Sequence, residues 1–274
     1  DPSHKPVGTM RLSLVLRSPR NVLVTDVMKR EQTLIPVDMD QEEVALRFQK
    51  YALISAAVVD TSGRLVGVIT VDDIVHIIQE EADEDILRLS GAGDGDINDS
   101  VREIVSTRLR WLVVNLGTAI LASIVIGFFA GTIEKMVALA ILMPIVSALG
   151  GNAATQTMAV TVRALATDQL TEANTRRTIL KEIRVALING AAIAFLVGVA
   201  AGLYFTNVPL GLVIATAMIG NILVAGLAGV MVPLTLDRMD VDPAVSSPVF
   251  VTMTTDVMGF LFFLGLAAAT GLTG

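Results

Sequence analysis

Asp256 is the one ionisable residue deep inside a long apolar segment of this chain, in the run Val251-Thr252-Met253-Thr254-Thr255-Asp256-Val257-Met258-Gly259-Phe260. Holding a carboxylate in the middle of a membrane is costly, and such a group persists by facing a partner, water or a passing cation. The chemistry it points to is a cation pathway with Asp256 on its wall. Thr252, one helical turn earlier, shares its face. A second apolar segment contributes Asn152, Thr155 and Gln156, just after Gly150-Gly151 and downstream of Pro144. Proline removes a backbone donor and adjacent glycines weaken a helix. This segment is therefore expected to be kinked or broken, its freed carbonyls and polar side chains lining a wet cavity. Close helix packing through small residues is the other reading of the same glycines. Outside the apolar segments, Glu80, Glu81, Asp83, Glu84 and Asp85 crowd five carboxylates into six residues. Counter-ions would relieve their repulsion, and oxygen-rich clusters suit Mg²⁺ or Ca²⁺; a solvated acidic helix face is the plainer alternative.

The elements that must position these groups follow from composition. The chain has 274 residues, 53% of them hydrophobic, and a mean hydropathy of +0.68, beyond a soluble globular norm. Five segments approach or exceed the roughly 20 residues a helix needs to span a bilayer. They are Leu109 to Ile133, Val137 to Leu165, Val185 to Phe205, Leu210 to Leu236 and Val245 to Leu272. The net charge of −7 arises before Arg108, and the remainder is close to balance. That acidity argues against nucleic acid as a partner and suits a surface that gathers cations. With no cysteine and with His4 and His76 far apart in the sequence, disulfides, thiolate metal sites and a zinc cluster are not expected. No signal peptide is visible and no initiator Met precedes Asp1, so the sequence reads as a fragment. Arg108, Arg110, Arg163, Arg176, Arg177, Lys181, Arg184 and Arg238 gather at span ends on one side, against Lys135 on the other. By the positive-inside rule the N-terminal part is cytoplasmic and five spans put the C-terminus outside, in a multi-pass protein of the cytoplasmic membrane.

Between Asn21 and Ile78, short β-like runs alternate with amphipathic helical ones. Gln41 to Tyr51 has apolar residues at helical spacing. Ala56 to Asp60 reads as a strand, Thr61-Ser62-Gly63-Arg64 as a turn and Leu65 to Thr70 as a second strand. Val71-Asp72-Asp73-Ile74-Val75 opens a helix with acids in its first turn. Thr70 is placed to cap that helix and Asp73 to favour its N-terminus. Val58-Val59-Asp60, Gly63, Leu65 to Thr70 and Asp73, in this order, resemble a CBS domain. Pro6 to Met10 followed by Leu12 to Leu16 resembles the tail of a preceding repeat. Residues 1–18 are then that tail and residues 19–90 a CBS repeat with an acidic C-terminal helix. The resemblance implies a second use for Thr70 and Asp73, contact with the ribose and phosphates of ATP or another adenine nucleotide. Gly91-Ala92-Gly93-Asp94-Gly95-Asp96 is flexible and acidic but lacks EF-hand spacing. Ser100-Val101-Arg102-Glu103 matches a capping box and starts a helix towards the first span. On this division residues 91–107 form a plug-type linker helix and residues 108–274 a transmembrane pore domain.

Further motifs carry a wider resemblance. Pro144, then Gly150-Gly151-Asn152-Ala153-Ala154-Thr155-Gln156-Thr157, Arg163-Ala164-Leu165-Ala166, Asp242-Pro243-Ala244 and the run to Asp256 and Gly259 resemble MgtE-type magnesium channels and transporters. Glu84-Asp85-Ile86-Leu87-Arg88-Leu89 and the five spans fit the same family. The resemblance implies an α-helical membrane protein with five transmembrane helices and a cytoplasmic α/β CBS-type regulatory domain. It implies a homodimer in membrane lipid with its pore on the two-fold axis and Asp256 as the pore carboxylate. Thr252 and Asn152 are secondary candidates beside it, and hydrated Mg²⁺ would be captured through its water shell. It also implies gating: Mg²⁺ bound at Asp72, Asp73, Glu80, Glu81, Glu84 and Asp85 would hold the CBS and linker surfaces closed. Members of the family usually carry an acidic N-terminal helical domain and a complete first CBS repeat, so this sequence is expected to be leaky.

The expected function is thus a Mg²⁺-selective channel gated by cytoplasmic Mg²⁺. An ion-coupled secondary transporter of Mg²⁺, Co²⁺ or Mn²⁺ is the near alternative. It needs a second titratable group in the spans, and none is expected there. An intramembrane aspartyl enzyme needs paired carboxylates, and one chain offers only Asp256; no Ser-His or Cys-His pair lies in the spans. An enzyme is therefore not expected, nor is a protein substrate. A nucleotide sensor anchored by its spans would need neither a broken second span nor Asp256.

Overall fold

The computed structural model describes residues 1–91, 100–167 and 169–272. The acidic Asp/Gly stretch after Gly91 and the start of the expected linker lie outside the described residues. The chain divides into two units, Asp1–Glu84 and Asp85–Gly274.

In the first unit, short helices α1 (Leu12–Arg17) and α2 (Val24–Val27) precede strand β1 (Leu34–Pro36). Helix α3 (Gln41–Tyr51), strands β2 (Ser55–Val59) and β3 (Leu65–Thr70), and helix α4 (Val71–Leu89) follow. β1 pairs parallel with β2, and β2 pairs antiparallel with β3. The apolar spacing in α3 buries Val44, Ala45 and Phe48 against Ile35, Ala56 and Ile74. The Asp40 carboxylate accepts from the Glu42 amide at 2.9 Å and caps the start of α3. The β2–β3 turn is pinned by the Asp60 carboxylate, which accepts from the amides of Ser62 and Arg64. Gly63, with φ +75°, takes the left-handed position there. The division between units falls inside α4, whose last turn belongs to the second.

The second unit holds α5 (Val101–Phe128), α6 (Ala130–Lys135), α7 (Ala138–Ala166), α8 (Glu172–Tyr204), α9 (Val208–Asp237) and α10 (Pro243–Ala269). Five of these, α5 and α7 to α10, are long and apolar enough to cross a membrane. The capping box read from the sequence is present: Ser100 and Glu103 satisfy each other's backbone amides at the start of α5. α9 is the central helix, packed against α7, α8 and α10. Its buried residues run from Leu210 to Pro233. Small residues permit the close approach: a methyl group on Gly211 would lie 2.5 Å from the Gly198 carbonyl of α8. Thr171 stands at the N-cap of α8, so that helix extends well upstream of its apolar stretch.

One expectation, that the second span is kinked or broken, is corrected as to the break. The second apolar segment is not broken: α7 is a single α-helix from Ala138 to Ala166, with Pro144 inside it. Proline withdraws only its own amide, normally bonded to the carbonyl four residues back, and here the rest of the ladder continues. Gly150 serves contact rather than breakage. It is buried, and a methyl group there would lie 2.2 Å from the Asn221 amide nitrogen of α9.

Candidate functional site

Asp256 is the middle residue of α10, about 20 Å from either end at helical rise. It is half-buried. The Ser147 hydroxyl of α7 donates to its Oδ1 at 2.5 Å, a short, charge-assisted bond of the stronger kind. The serine lies in a motif the sequence singles out, but nothing in its own type marks it as the partner of Asp256. Asn152, the middle residue of α7, and Thr252 are both exposed in the single chain, as are Pro144, Ala148 and Thr155. Pro144, Ala148, Asn152 and Thr155 recur at helical spacing, so α7 turns a small and polar stripe outward at mid-span. Thr252 also lends its carbonyl to the Thr255 hydroxyl at 3.0 Å.

Behind this face lies a residue that sequence reasoning missed. Asn221 of α9 has no exposed surface, and its Nδ2 donates to the Val146 carbonyl of α7 at 3.0 Å. Its Oδ1 has no partner, an arrangement that costs about 1–3 kcal/mol when buried. A methyl group on Gly150 or Gly259 would lie 2.2 Å or 2.6 Å from its Nδ2. The amide is thus flattened between two glycines, one on α7 and one on α10. Inside an otherwise apolar run, Asn221 gives no periodic signal of its own.

A second polar cluster joins α7 to α8. The Thr157 hydroxyl donates to Glu182 Oε2 at 3.3 Å. Gln156, Thr157, Glu182 and Asn189 line a cavity of about 230 Å³. Glu182 belongs to the charged end of α8, between Lys181 and Arg184, not to its apolar stretch. At the start of α10, Asp242 caps the helix by accepting from the Ala244 amide at 2.8 Å. Its other oxygen pairs with Arg88 of the last turn of α4, also at 2.8 Å.

The remaining expected site residues lie on or beside α4. Thr70 stands at its start, where the Thr70 amide donates to Asp73 Oδ2 at 3.1 Å. The Thr70 hydroxyl lies within bonding distance of both Asp73 and Asp72 and, having one proton, serves one at a time. This bond holds the Asp72 carboxyl below the usual aspartate range, with backbone amides and His76 assisting. Glu81 accepts from Gln41 at 2.7 Å, and Glu80 is exposed. Glu84 and Asp85 follow one turn later. Among the described residues, no three His, Asp or Glu side chains of this single chain converge as a metal site. A cleft of about 850 Å³ in the first unit is lined by Thr9, Lys29, Glu31, Tyr51 and the faces of β2 and β3; Thr70 and Asp73 are not among its walls.

Comparison with known proteins decides the family. A model described as MgtE, a divalent cation transporter, matches residues 143–266, and a CBS-domain model matches residues 24–80. The magnesium transporter MgtE of Enterococcus faecalis is 31% identical over 268 residues, covering 98% of this chain and 59% of that protein. Those of Bacillus subtilis and Thermus thermophilus are 31% and 35% identical over 258 residues, each covering 93% of this chain and 57% of the relative. The chain belongs to the MgtE family. It spans less than three-fifths of the length of these curated relatives. The MgtE match encloses Ser147, Asn152, Asn221, Thr252 and Asp256. The CBS match encloses Thr70, Asp72, Asp73 and Glu80 and ends before Glu81. The MgtE membership and the five apolar helices together identify a multi-pass membrane protein.

Proposed function

We propose that this chain is the membrane pathway and part of the sensor of a Mg²⁺ channel, working as a homodimer. The observation that carries the reading is Asp256 at the centre of α10, oriented by Ser147 and flanked by the outward polar stripe of α7. Lipid cannot solvate such a face, whereas a second copy and a hydrated cation can. Two Asp256 carboxylates would face one divalent ion. Mg²⁺ dehydrates reluctantly, so the carboxylates, Asn152 and Thr252 would bond to its water shell. Glu182 does not favour ion coupling, because it sits among cations at the polar end of α8.

The gate in this reading lies on α4 with the N-terminal part in the cytoplasm. Asp72, Asp73, Glu80, Glu81, Glu84 and Asp85 are strung along one helix, so a regulatory Mg²⁺ would be shared with acids of another copy or another segment. An adenine nucleotide would occupy the cleft lined by Lys29 and Tyr51, while Thr70 and Asp73 hold the start of α4.

The test is Mg²⁺ uptake into proteoliposomes by the full chain and by Asp256→Ala, with Mg²⁺ on the sensor side varied. Uptake that needs Asp256 and falls as sensor-side Mg²⁺ rises supports both parts. Uptake that needs Asp256 but ignores that Mg²⁺ retains the pathway and removes the gate. Equal uptake by Asp256→Ala would falsify the pathway.

A further inference from the structure

We propose that Asn221 is a positioning residue for Asp256, acting by fixing α7 and α10 against α9 at the level of the Ser147–Asp256 bond. The inference rests on Asp256 being the pathway carboxylate. Three observations converge on it. The Nδ2 bond goes to the Val146 carbonyl, the residue immediately before Ser147. That carbonyl already accepts the Gly150 amide within the α-helical ladder, and its second lone pair takes Asn221. On the other side, the Asn221 amide rests on Gly259, three residues after Asp256 and so on the next turn of α10. A single rigid side chain therefore touches the turn that carries the serine donor and the turn next to the carboxylate acceptor.

The chemistry of the slot explains why an amide occupies it. The Val146 oxygen can only accept, so Nδ2 must face it, and Oδ1 is then left without a partner. A leucine has the same branching and no polar atom to leave unpaired, though its tetrahedral branch is bulkier than the planar amide. An asparagine that only packs is a poor choice at a site with no exposed surface. An asparagine that sets the register of two helices is a sound one, because its bond has direction and an apolar contact has none. A small shift of α7 along α10 would lengthen the 2.5 Å Ser147–Asp256 bond and turn the carboxylate away from a fixed approach to the ion's water shell. Positioning of this kind acts on ion recognition more than on the number of folded molecules.

The test uses the full chain in proteoliposomes, reading initial Mg²⁺ uptake against Mg²⁺ concentration and against competing Ca²⁺. Asn221→Leu keeps the branching and removes the donor. The expected result is a folded protein, at most modestly less stable because a tetrahedral leucine is bulkier than the planar amide between the two glycines, with half-saturating Mg²⁺ raised about fivefold, the factor lost with one net hydrogen bond, and weaker discrimination against Ca²⁺. A second variant guards against a folding defect. Asn221→Ala combined with Gly259→Ala restores the filled volume without the amide, and should match Asn221→Leu. Wild-type half-saturation and Ca²⁺ discrimination in both variants would overturn the proposal, as would failure of both to fold, which would make Asn221 a determinant of the fold alone. Asp256→Ala run alongside separates the two readings: undiminished uptake there removes the pathway carboxylate itself, whatever Asn221 does.

Discussion

Ser147 bonds to one oxygen of Asp256; on the proposed pathway the other oxygen would face the ion or its water, so the carboxylate would meet a cation from a defined side. That single-donor arrangement suits a site that must bind and then release, since a carboxylate tied by several donors would compete less well for the shell of Mg²⁺. A related economy holds in the first unit, where the Thr70 hydroxyl steadies the ionised form of Asp72. Because the Asp72 pKa is lowered below the ordinary 3.8 in the folded chain, its contribution to stability is present above that value and is lost as pH falls through the lowered one. Thr70→Val should therefore melt earlier than the wild type at neutral pH, with the gap closing below about pH 4. Melting curves of both proteins in detergent between pH 7 and pH 3 check this; a gap independent of pH would show that the hydroxyl acts through something other than Asp72.

At the scale of elements, Asp242 does two jobs at the start of α10, and substitutions can separate them. Asn is as good an N-cap as Asp, whereas replacing the cap by Ala costs about 1 kcal/mol. A partly exposed ion pair such as Arg88–Asp242 contributes about 0–1 kcal/mol. Asp242→Asn should thus leave the melting temperature nearly unchanged, and Asp242→Ala should lower it by a few degrees; equal losses in both would assign the stability to the ion pair instead. The Ser100–Glu103 box was legible because a capping box is written within four residues of sequence, and the helix after Thr70 was legible from the acids in its first turn; the cap made by Asp242 was not read. The five spans were legible because an apolar run of that length has few other uses. Pro144 and Gly150 misled because their local tendency is to break a helix, while their outcome depends on what packs beside them: Gly150 is small to admit Asn221, a residue 71 positions away. Asn221 and Ser147 share this difficulty. Their roles arise from contacts between helices, and single-residue periodicity carries no trace of those contacts.

For the molecule as a whole, the outward face of α7 and α10 needs a cover that suits polar groups. α5 leaves Leu109, Leu112, Val113, Leu116, Ile120, Ile124 and Phe128 exposed, an apolar face that lipid can cover without cost. Asn152 and Thr252 are different, because hydrocarbon offers their polar groups nothing. The exposed apolar residues Ile188 and Phe195 of α8 give an internal comparison within the same unit. The chain has no cysteine, so single-cysteine variants report one position each without a background to subtract. If two copies meet across the polar stripe, Thr252→Cys in native membranes should form an oxidant-induced dimer through its symmetry mate. Phe195→Cys, facing lipid, should stay monomeric under the same oxidant. Added Mg²⁺ should slow the Thr252→Cys reaction if a hydrated ion stands between the two copies, since its shell holds them apart. Cross-linking at Phe195→Cys but not at Thr252→Cys would put the dimer contact on α8, and Asp256 would then need another source for its second charge.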